Sequence, residues 1–355
     1  MTEKRSEHKR RVRYRGKNPR RFEERYKEHD PEKYPEAAAH IEAKGNTLAG
    51  THRPICVEEI FRRLDPKPGE CALDATLGYG GHAEQLLPRL LPGGKLFAVD
   101  ADPIEMSRTE ARMRKRGFDE DVLVIRQMNF SAIRSLLYEA GGGFDCILAD
   151  LGVSSMQLDN PTRGFSHKSD GPLDLRLNPN KGRSAKELLA AIDREELEAI
   201  LESHADESYA KVIAQAIKVS KIEITRTTQL AEIIRTSLKR YDRALGDHEI
   251  KRSIQRSFMA LRIEVNSELA SLERFLKVLP HCLKPGGRVA ILSFHSGEDR
   301  RVKNSLQEAY HLGYYSQIAD GPERPSPTEC RDNPRATCAK WRWAVRSELE
   351  ISNGL

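Results

Sequence analysis

The segment DATLGYGGH, residues 74–82, decides the fold, because three glycines here join a short apolar run to a helical pattern. The apolar run Cys71–Asp74 predicts a buried strand, and the apolar spacing over Ala83–Leu91 predicts a helix. Glycines in a strand-to-helix turn permit a sharp bend and let backbone N–H groups approach a ligand, since they carry no Cβ. The segment therefore predicts a ligand-binding loop at the carboxyl edge of a sheet.

Three further short apolar runs follow at the spacing of βαβ units: Lys95–Asp100, Val122–Ile125 and Phe144–Asp150. Such runs, separated by helical patterns such as Pro103–Lys115, are typical of parallel strands that are buried on both faces. A fifth run, Val289–Ser293, follows a predicted turn at Lys284–Arg288. The chain is therefore expected to form an α/β fold around a parallel sheet.

The pattern changes after the fourth run. Residues 155–183 are polar and contain several glycines and prolines, and capping boxes at Ser184/Glu187 and Asp193/Glu196 then predict the starts of helices. A long helix is expected over Ser253–Leu279 and leads back to the sheet. The predicted organisation is a basic, disordered arm at 1–45, a discontinuous α/β domain at 46–154 and 266–350, and a helical insertion at 155–265.

Composition excludes several classes of protein. The chain has 355 residues, of which 38% are hydrophobic, and this is enough for a sizeable core. No apolar run reaches the roughly 18 residues of a membrane span, and the charged N-terminus lacks the apolar region of a signal peptide. We therefore expect a cytoplasmic protein that does not enter a membrane. Its six cysteines form no metal-binding pattern, so reduced thiols and no metal site are predicted.

Positive charge is concentrated at the N-terminus. Residues 1–27 contain 12 Lys or Arg and four acidic residues, whereas the whole chain has a net charge of +6. A basic segment of this kind can contact a polyanion through phosphate pairing, although a solvated extension has the same composition. Both interpretations stay open from the sequence.

Acidic residues end three of the predicted strands, at Asp74, Asp100 and Asp150. Asp100 follows Gly80 by 20 residues, the position of a carboxylate that binds ribose hydroxyls. The loop lacks the third glycine of a dinucleotide site, which disfavours a nicotinamide oxidoreductase, and no Gly-Lys-Ser/Thr sequence follows that would make it a P-loop. An acid before the glycines suits a ligand with a cationic amino-acid part, such as S-adenosylmethionine.

Two polar segments follow strands and could contact a substrate. The first, Asp150–Arg176, is a long loop, which is where binding residues are common, although polar surface loops are common too. The second begins at Ser293 and contains His295, which could contact a substrate or serve as a hydrogen-bonded structural histidine. Arg262 and Asn266 are possible substrate contacts on a helix that otherwise has the pattern of core packing.

Together, these motifs resemble those of the bacterial small-subunit ribosomal RNA cytosine-N4 methyltransferases, the MraW or RsmH family. The resemblance covers residues 50 to 345 approximately. The matching stretches are His52-x-Pro54 with Glu58-Glu59, Asp74–His82, Asp100–Pro103, Asn129–Ser131, Asp150–Asp159, Arg163–Ser166, Asp170–Arg176, Ala260–Leu269, Gly286–Arg288 and Ser293–Arg300.

The resemblance implies a Rossmann-like S-adenosylmethionine-dependent methyltransferase fold with an inserted all-helical domain, to which this chain adds a basic N-terminal extension. It implies methylation of the exocyclic N4 of a cytidine in 16S rRNA, near the decoding centre of the small ribosomal subunit. A homodimer is left open. The implied cofactor-binding residues are Gly80, Gly81, His82, Asp100, Phe130, Asp150 and Gln157. The candidate substrate contacts are Ser154, Arg163, Asp170, Arg262, Asn266 and His295.

No catalytic residue follows from the resemblance. An exocyclic amine needs an acceptor for its hydrogens, and the Asn/Asp-Pro-Pro-Tyr motif of many amino-methyltransferases is absent after the fourth strand. Asp150 is the best candidate. Gly297 departs from the leucine usual in the family, and the basic segment 1–45 is not typical of it. Two alternatives stay open: a methyltransferase that acts on another RNA or a protein, and a non-catalytic RNA-binding ribosome-assembly factor.

Overall fold

The computed structural model describes residues 54–348, so the predicted arm at 1–45 lies outside the described residues. A sheet of seven strands forms the centre of this part. The strands are β1 (Cys71–Asp74), β2 (Lys95–Asp100), β3 (Leu123–Gln127), β4 (Phe144–Asp150), β5 (Leu283–Ser293), β6 (Tyr315–Ile318) and β7 (Lys340–Arg346). Their order is β3-β2-β1-β4-β5-β7-β6.

The first five strands are parallel, and β7 runs antiparallel between β5 and β6. The chain moves outward from β1 to β3 and then returns to place β4 on the other side of β1. This reversal makes β1 and β4 the switch point, where open α/β sheets bind ligands beyond the carboxyl ends of the strands. The arrangement confirms the predicted Rossmann-like α/β fold class.

The two faces of the sheet are buried in separate hydrophobic cores. On one face, Leu73, Phe97 and Ile147 pack against α10 (Glu268–Cys282), α11 (Ser296–His311) and the 3-10 helix Phe130–Leu136. On the other face, the neighbouring residues Ala72 and Leu96 pack against α1 (Val57–Leu64), α2 (Gly81–Leu90) and α3 (Pro103–Lys115). Side chains alternate between faces along each strand, so continuous apolar runs bury both.

A third hydrophobic core lies outside the sheet and uses residues between Phe165 and Leu261. The short helix α4 (Ser155–Asp159) begins this part of the chain. The helices that follow are α5 (Ala185–Ala191), α6 (Arg194–Ala205), α7 (Ala210–Lys218), α8 (Thr227–Tyr241) and α9 (Asp247–Asn266). Both predicted capping boxes are present, at the N-termini of α5 and α6.

In this helical region, α6 and α8 each pack against both α7 and α9. The four helices therefore form a closed arrangement in which α6 and α8 lie diagonally opposite each other. No helix among the described residues is long and apolar enough to cross a membrane.

Two local predictions are wrong. The single helix expected over Ser253–Leu279 is two helices, because Ser267 adopts a left-handed conformation (φ 49°) between α9 and α10. The turn expected at Lys284–Arg288 lies inside β5, where pairing with β4 shifts register and Gly286 has a φ of 69°. The single left-handed residue Ser267 thus ends one helix and begins another. In β5, by contrast, the sheet accommodates the irregular residues by a shift of register, and the strand continues.

Helix α12 (Pro327–Asp332) and the 3-10 helix Pro334–Cys338 precede β7 and complete the described fold. Their residues matter for the site, because Asn333, Arg335 and Cys338 reach the carboxyl edge of the sheet.

Candidate active site

A cavity of about 350 Å³ lies at the carboxyl ends of β1, β2, β4 and β5. This volume is within the range of small-molecule sites. Its lining is mixed, since apolar side chains such as Leu77 and Phe130 alternate with Asp100, Asp150 and Glu298. Residues of α9 and α10 line the opposite side, so the cavity is shared by the sheet and the helical region.

The glycine loop between β1 and α2 is fixed from behind by α3. The hydroxyl group of Thr109 donates a hydrogen bond to the Gly78 carbonyl oxygen (2.6 Å), and Arg112 donates one to the carbonyl oxygen of Tyr79. Gly80 has a φ of 68°, and a Cβ at this position would come within 3.0 Å of Thr109 Cγ2. The positive φ and the close approach of Thr109 therefore both favour glycine at position 80.

Buried charge supports the same loop. Glu84 of α2 is ion-paired with Arg112 of α3 and with Arg116, the residue that follows α3, each at 3.1 Å. The Tyr79 hydroxyl group donates a hydrogen bond to Glu105, also on α3. These hydrogen bonds and ion pairs with α3 and Arg116 thus hold the glycine loop from the side away from the cavity.

Asp100 connects the loop to the end of β2. Its carboxylate accepts hydrogen bonds from the N–H groups of Gly78 (2.7 Å) and Asp102 (2.8 Å). Burial raises its pKa to about 6, although these two hydrogen bonds oppose the shift. The carboxylate lines the cavity at the position that the sequence predicted for a ribose-binding acid.

Asp150, at the end of β4, is the acidic group with the fewest protein contacts in the cavity. Its Oδ1 atom has no hydrogen-bond partner, and its Oδ2 atom lies 3.6 Å from Nδ1 of His82. Burial, with a further contribution from Glu298, raises the pKa of Asp150 to about 7. The carboxylate is therefore available to a ligand and is sensitive to pH near neutrality.

His82 is held by the chain before α1. Its Nε2 atom lies 3.1 Å from the carbonyl oxygen of Ile55, and burial lowers its pKa.

The position of Asp74 differs from the one that the sequence suggested, which was a carboxylate facing the ligand. Asp74 does not line the cavity, its exposed fraction is 2%, and its carboxylate accepts the Thr76 N–H (3.0 Å). Asp150, rather than Asp74, thus presents a carboxylate to the cavity.

Gln157 belongs to a buried polar cluster. Its Nε2 atom donates to Oδ2 of Asp102 (2.7 Å), and its Oε1 atom accepts the Ser154 N–H (2.8 Å). The side chain lines the cavity while both ends of its amide are bound to protein. Gln157 and Ser154 also form the capping box of α4, so these two predicted residues shape the rim.

Four of the predicted substrate residues line the cavity: Ser154, Arg262, Asn266 and His295. Arg262 forms a two-pronged pair with Glu268, with both distances at 2.8 Å. Asn266 accepts the Leu177 N–H (2.7 Å) and donates to the Leu175 carbonyl oxygen (2.8 Å). The Arg262–Glu268 pair therefore spans the break at Ser267, and the hydrogen bonds of Asn266 connect the end of α9 to the polar loop.

His295 lies against Glu298, with Nε2 of the imidazole 3.2 Å from Oε1 of the carboxylate. Glu298 also accepts the Phe294 N–H (2.8 Å). Burial acts to raise the pKa of Glu298, but these neighbours outweigh it and the pKa is lowered. A Cβ at Gly297 would lie 3.1 Å from Nδ1 of His295, so a larger residue there would require the imidazole ring to move.

Of the other predicted residues, some line the cavity and some do not. Gly81, His82 and Phe130 line the cavity, whereas Gly80 supports the loop without lining it. Arg163 is buried away from the cavity and contacts Asp102. Asp170 is exposed and is bound by Arg226 and Thr228.

Several cavity residues were not predicted, namely Pro54, Ile55, Met259, Glu268, Glu298, Asn333, Arg335 and Cys338. Glu298 lies in a segment that matched the family, but its spacing gave no chemical signal. A group formed by Cys56, Glu59 and Glu329 has potential metal ligands close together. Burial raises the pKa of the Cys56 thiol, and Glu329 accepts the Cys56 N–H (2.9 Å).

Comparison with known proteins gives consistent results. Residues 49–347 match the model of the MraW methylase family. Ribosomal RNA small subunit methyltransferase H 1 of Agathobacter rectalis is 52% identical over 345 residues, which cover 96% of this chain and 99% of that protein. Ribosomal RNA small subunit methyltransferase H 2 of Alkaliphilus metalliredigens is 52% identical over 341 residues, covering 95% and 97%.

These alignments leave only 4–5% of the chain unmatched, so they extend into the basic segment 1–45. The segment is therefore shared in part with these relatives. Among solved structures, an S-adenosylmethionine-dependent O-methyltransferase from Thermotoga maritima is 12% identical, with a TM-score of 0.38. The match covers 84% of this chain and 69% of that one.

Proposed function

Because this chain belongs to the MraW methylase family, we propose that it methylates the exocyclic N4 of a cytidine in 16S rRNA, near the decoding centre. The relatives that are 52% identical over nearly their whole length are named as methyltransferases of small-subunit ribosomal RNA. The observation that carries the proposal is the cavity at the switch point, in which the carboxylates of Asp100 and Asp150 face a common space.

The cavity fits S-adenosylmethionine, the methyl donor of this family. Asp100 would hold the ribose hydroxyls, and the edge of Phe130 would lie beside the adenine. The Asp150 Oδ1 atom lacks a protein partner and would receive the cationic amino-acid part or an N–H group of the substrate. The glycine loop, with Gly81 and His82, would surround the remainder. When bound, the cofactor supplies an electrophilic methyl group on a sulfonium.

The protein has to orient the amine of the cytosine and receive its proton. The lone pair of an exocyclic amine is delocalised into the ring, so an acceptor must hold its hydrogens and turn the lone pair out of the ring plane. When N4 gains a methyl group, it must also lose one proton. The raised pKa of Asp150, about 7, makes this carboxylate a suitable acceptor at neutral pH.

The target base has to leave its helical stack to reach a cavity at this depth, as other base-modifying enzymes require. The opening between the sheet and the helical region suits this movement. Leu177, Met259 and Asn266 line this side, and they belong to the polar loop and α9 rather than to the sheet. The helical region would thus hold the RNA while the sheet holds the cofactor.

The test uses purified protein, labelled S-adenosylmethionine and small ribosomal subunits from a strain that lacks the modification. We expect label in N4-methylcytidine of 16S rRNA, identified by nucleoside analysis. Cofactor binding without label in the RNA would indicate another substrate. Absence of cofactor binding would point to an assembly factor that has no catalytic activity.

A further inference from the structure

The helical region has an uneven distribution of charge. Residues 193–207, which contain α6, include seven acidic residues and one arginine. The remainder of the predicted insertion, within 155–265, contains 18 Lys or Arg and ten acidic residues. Because α6 and α8 lie diagonally opposite in the helical region, the acidic helix is separated from α8 by the width of the bundle.

Three cations of the helical region lie near enough to one aromatic ring to affect it electrostatically. Lys168, Arg235 and Lys251 all act electrostatically on His167. Arg235 has a partner on its own helix, Glu232. Within residues 54–348, neither Lys168 nor Lys251 has a carboxylate within 4 Å, and both side chains are exposed. We call the surface formed by Lys168, Arg235 and Lys251 the basic face.

The ring at the centre of the basic face is held in place. His167 packs against Phe258 of α9, with ring centroids 5.8 Å apart. Burial, followed by the three nearby cations, lowers the pKa of His167, which keeps the imidazole neutral near pH 7. A neutral, partly exposed ring flanked by cations has the composition of a single-stranded RNA surface, in which bases stack on rings and cations pair with phosphates.

One helix connects the basic face to the cavity. Lys251, Phe258 and Arg262 are spaced by seven and four residues along α9, so they lie on one side of that helix. Arg262 lines the cavity. Eleven residues of helix span about 16 Å, a distance that a few nucleotides of extended RNA can cover.

We propose that the basic face binds the RNA strand next to the nucleotide in the cavity, with Lys168, Arg235 and Lys251 contacting phosphates and His167 stacking on a base. This inference rests on the proposed function, because it assigns a contact surface for the same RNA. It assigns the positioning of the strand to residues that neither line the cavity nor contact the cofactor.

The test compares two double variants of the full-length chain, K168Q/K251Q and the control K277Q/K303Q. The control removes two exposed lysines from α10 and α11, which lie in the sheet domain. Binding of a 16S rRNA transcript and of small ribosomal subunits is measured from about 50 to 200 mM salt. For K168Q/K251Q we expect the slope of log K against log salt to decrease by about 1.4, or ~0.7 per phosphate contact on a single strand. The control should match the wild type.

A third variant, His167→Ala, separates stacking from charge. It should weaken binding about 5-fold or more and leave the salt slope unchanged. S-adenosylmethionine affinity should be unaffected in all three variants. A slope for K168Q/K251Q equal to that of the wild type, or an equal loss in the control, would overturn the inference.

Weaker binding to subunits with no change for the transcript would also overturn it, in favour of a protein partner. The wild type provides the separate test of the proposed function. If it binds the RNA through the basic face but leaves no label in N4-methylcytidine, the proposed function fails and the surface stands.

Discussion

Arg163 and Asp102 form a buried ion pair, with Nη1 of the guanidinium 2.8 Å from Oδ2 of the carboxylate. Asp102 begins α3, and its Oδ1 atom accepts the N–H of Ile104 (3.0 Å). Arg163 also donates to the carbonyl oxygen of Leu177 in the polar loop (2.8 Å). One side chain thus joins the N-terminus of α3 to the polar loop.

Arg163→Met should therefore destabilise the protein strongly. The substitution leaves the Asp102 carboxylate, which is fully buried, without its cation. Removing one partner of a buried ion pair lowers the free energy of unfolding by about 3–5 kcal/mol. Thermal unfolding would measure the loss. The variant Arg163→Lys keeps a cation beside Asp102, and it should recover part of the stability that Arg163→Met loses. No recovery would contradict an electrostatic origin.

Asp150→Asn should stabilise the cofactor-free protein while it impairs methylation. Burial raises the pKa of Asp150 to about 7 from an ordinary 3.8, so the native state binds this proton more tightly than the unfolded chain. Between about pH 4 and pH 7, stability therefore falls as pH rises. The variant should lose this component of the pH dependence in thermal unfolding. Exposed Asp121→Asn is the control and should behave like the wild type.

Methylation should have an ascending limb near pH 7. The proposed role of Asp150 requires the ionised form, which predominates above its pKa of about 7. We expect kcat/KM for small subunits to rise through this region and to level off above it. In Asp150→Asn, activity should be low and the limb near pH 7 absent. An unchanged profile in this variant would assign the limb to another group.

Gly80→Ala should weaken cofactor binding in addition to lowering stability. The new Cβ would be strained at a φ of 68° and would come within 3.0 Å of Thr109 Cγ2, displacing the loop. Gly117→Ala is a matched control, because it has a φ of 89° with no atom within 4 Å. Both variants should lose about 1–2 kcal/mol of stability. Only Gly80→Ala should raise the Kd for S-adenosylmethionine, by about tenfold or more in a titration.

Deletion of residues 1–45 tests the basic segment. It should weaken RNA binding and flatten its salt dependence by about 0.7 for each phosphate that the segment neutralises in the wild type. The affinity for S-adenosylmethionine should stay the same, because the residues predicted to bind the cofactor lie between Gly80 and Gln157. An unchanged salt slope would show that the segment is a solvated extension and not a tether.

The sheet was largely predictable because its central strands are buried on both faces. The bounds of β1, β2 and β4 agree with the predictions, since each strand is an almost continuous apolar run. β7 was not predicted. Its sequence, KWRWAVR, contains charged residues that are buried through tertiary contacts, such as Arg342 with Asp299 (2.8 Å). The break at Ser267, where φ is 49°, was also missed.

The candidate site also contains residues whose positions were predictable and residues whose positions were not. Acids at strand ends were predicted to share one edge because parallel strands end there together, and Asp100 and Asp150 do line one cavity. Their binding roles stay predictions. The position of Arg163 could not be read from the sequence, because it depends on a carboxylate 61 positions earlier in the chain. Polar residues of a long loop can face solvent, ligand or core, and only the fold distinguishes them.

The position of the helical region also affects how the protein folds during synthesis. β4 ends at Asp150 and its sheet neighbour β5 begins at Leu283, about 130 residues later. At roughly 5–20 residues per second, β4 waits about 7–26 seconds on the ribosome with an unpaired edge. The helices between them can form from local contacts in this interval. The sheet is thus completed last, and the cavity, which needs β5, cannot bind cofactor until the nascent chain is almost finished.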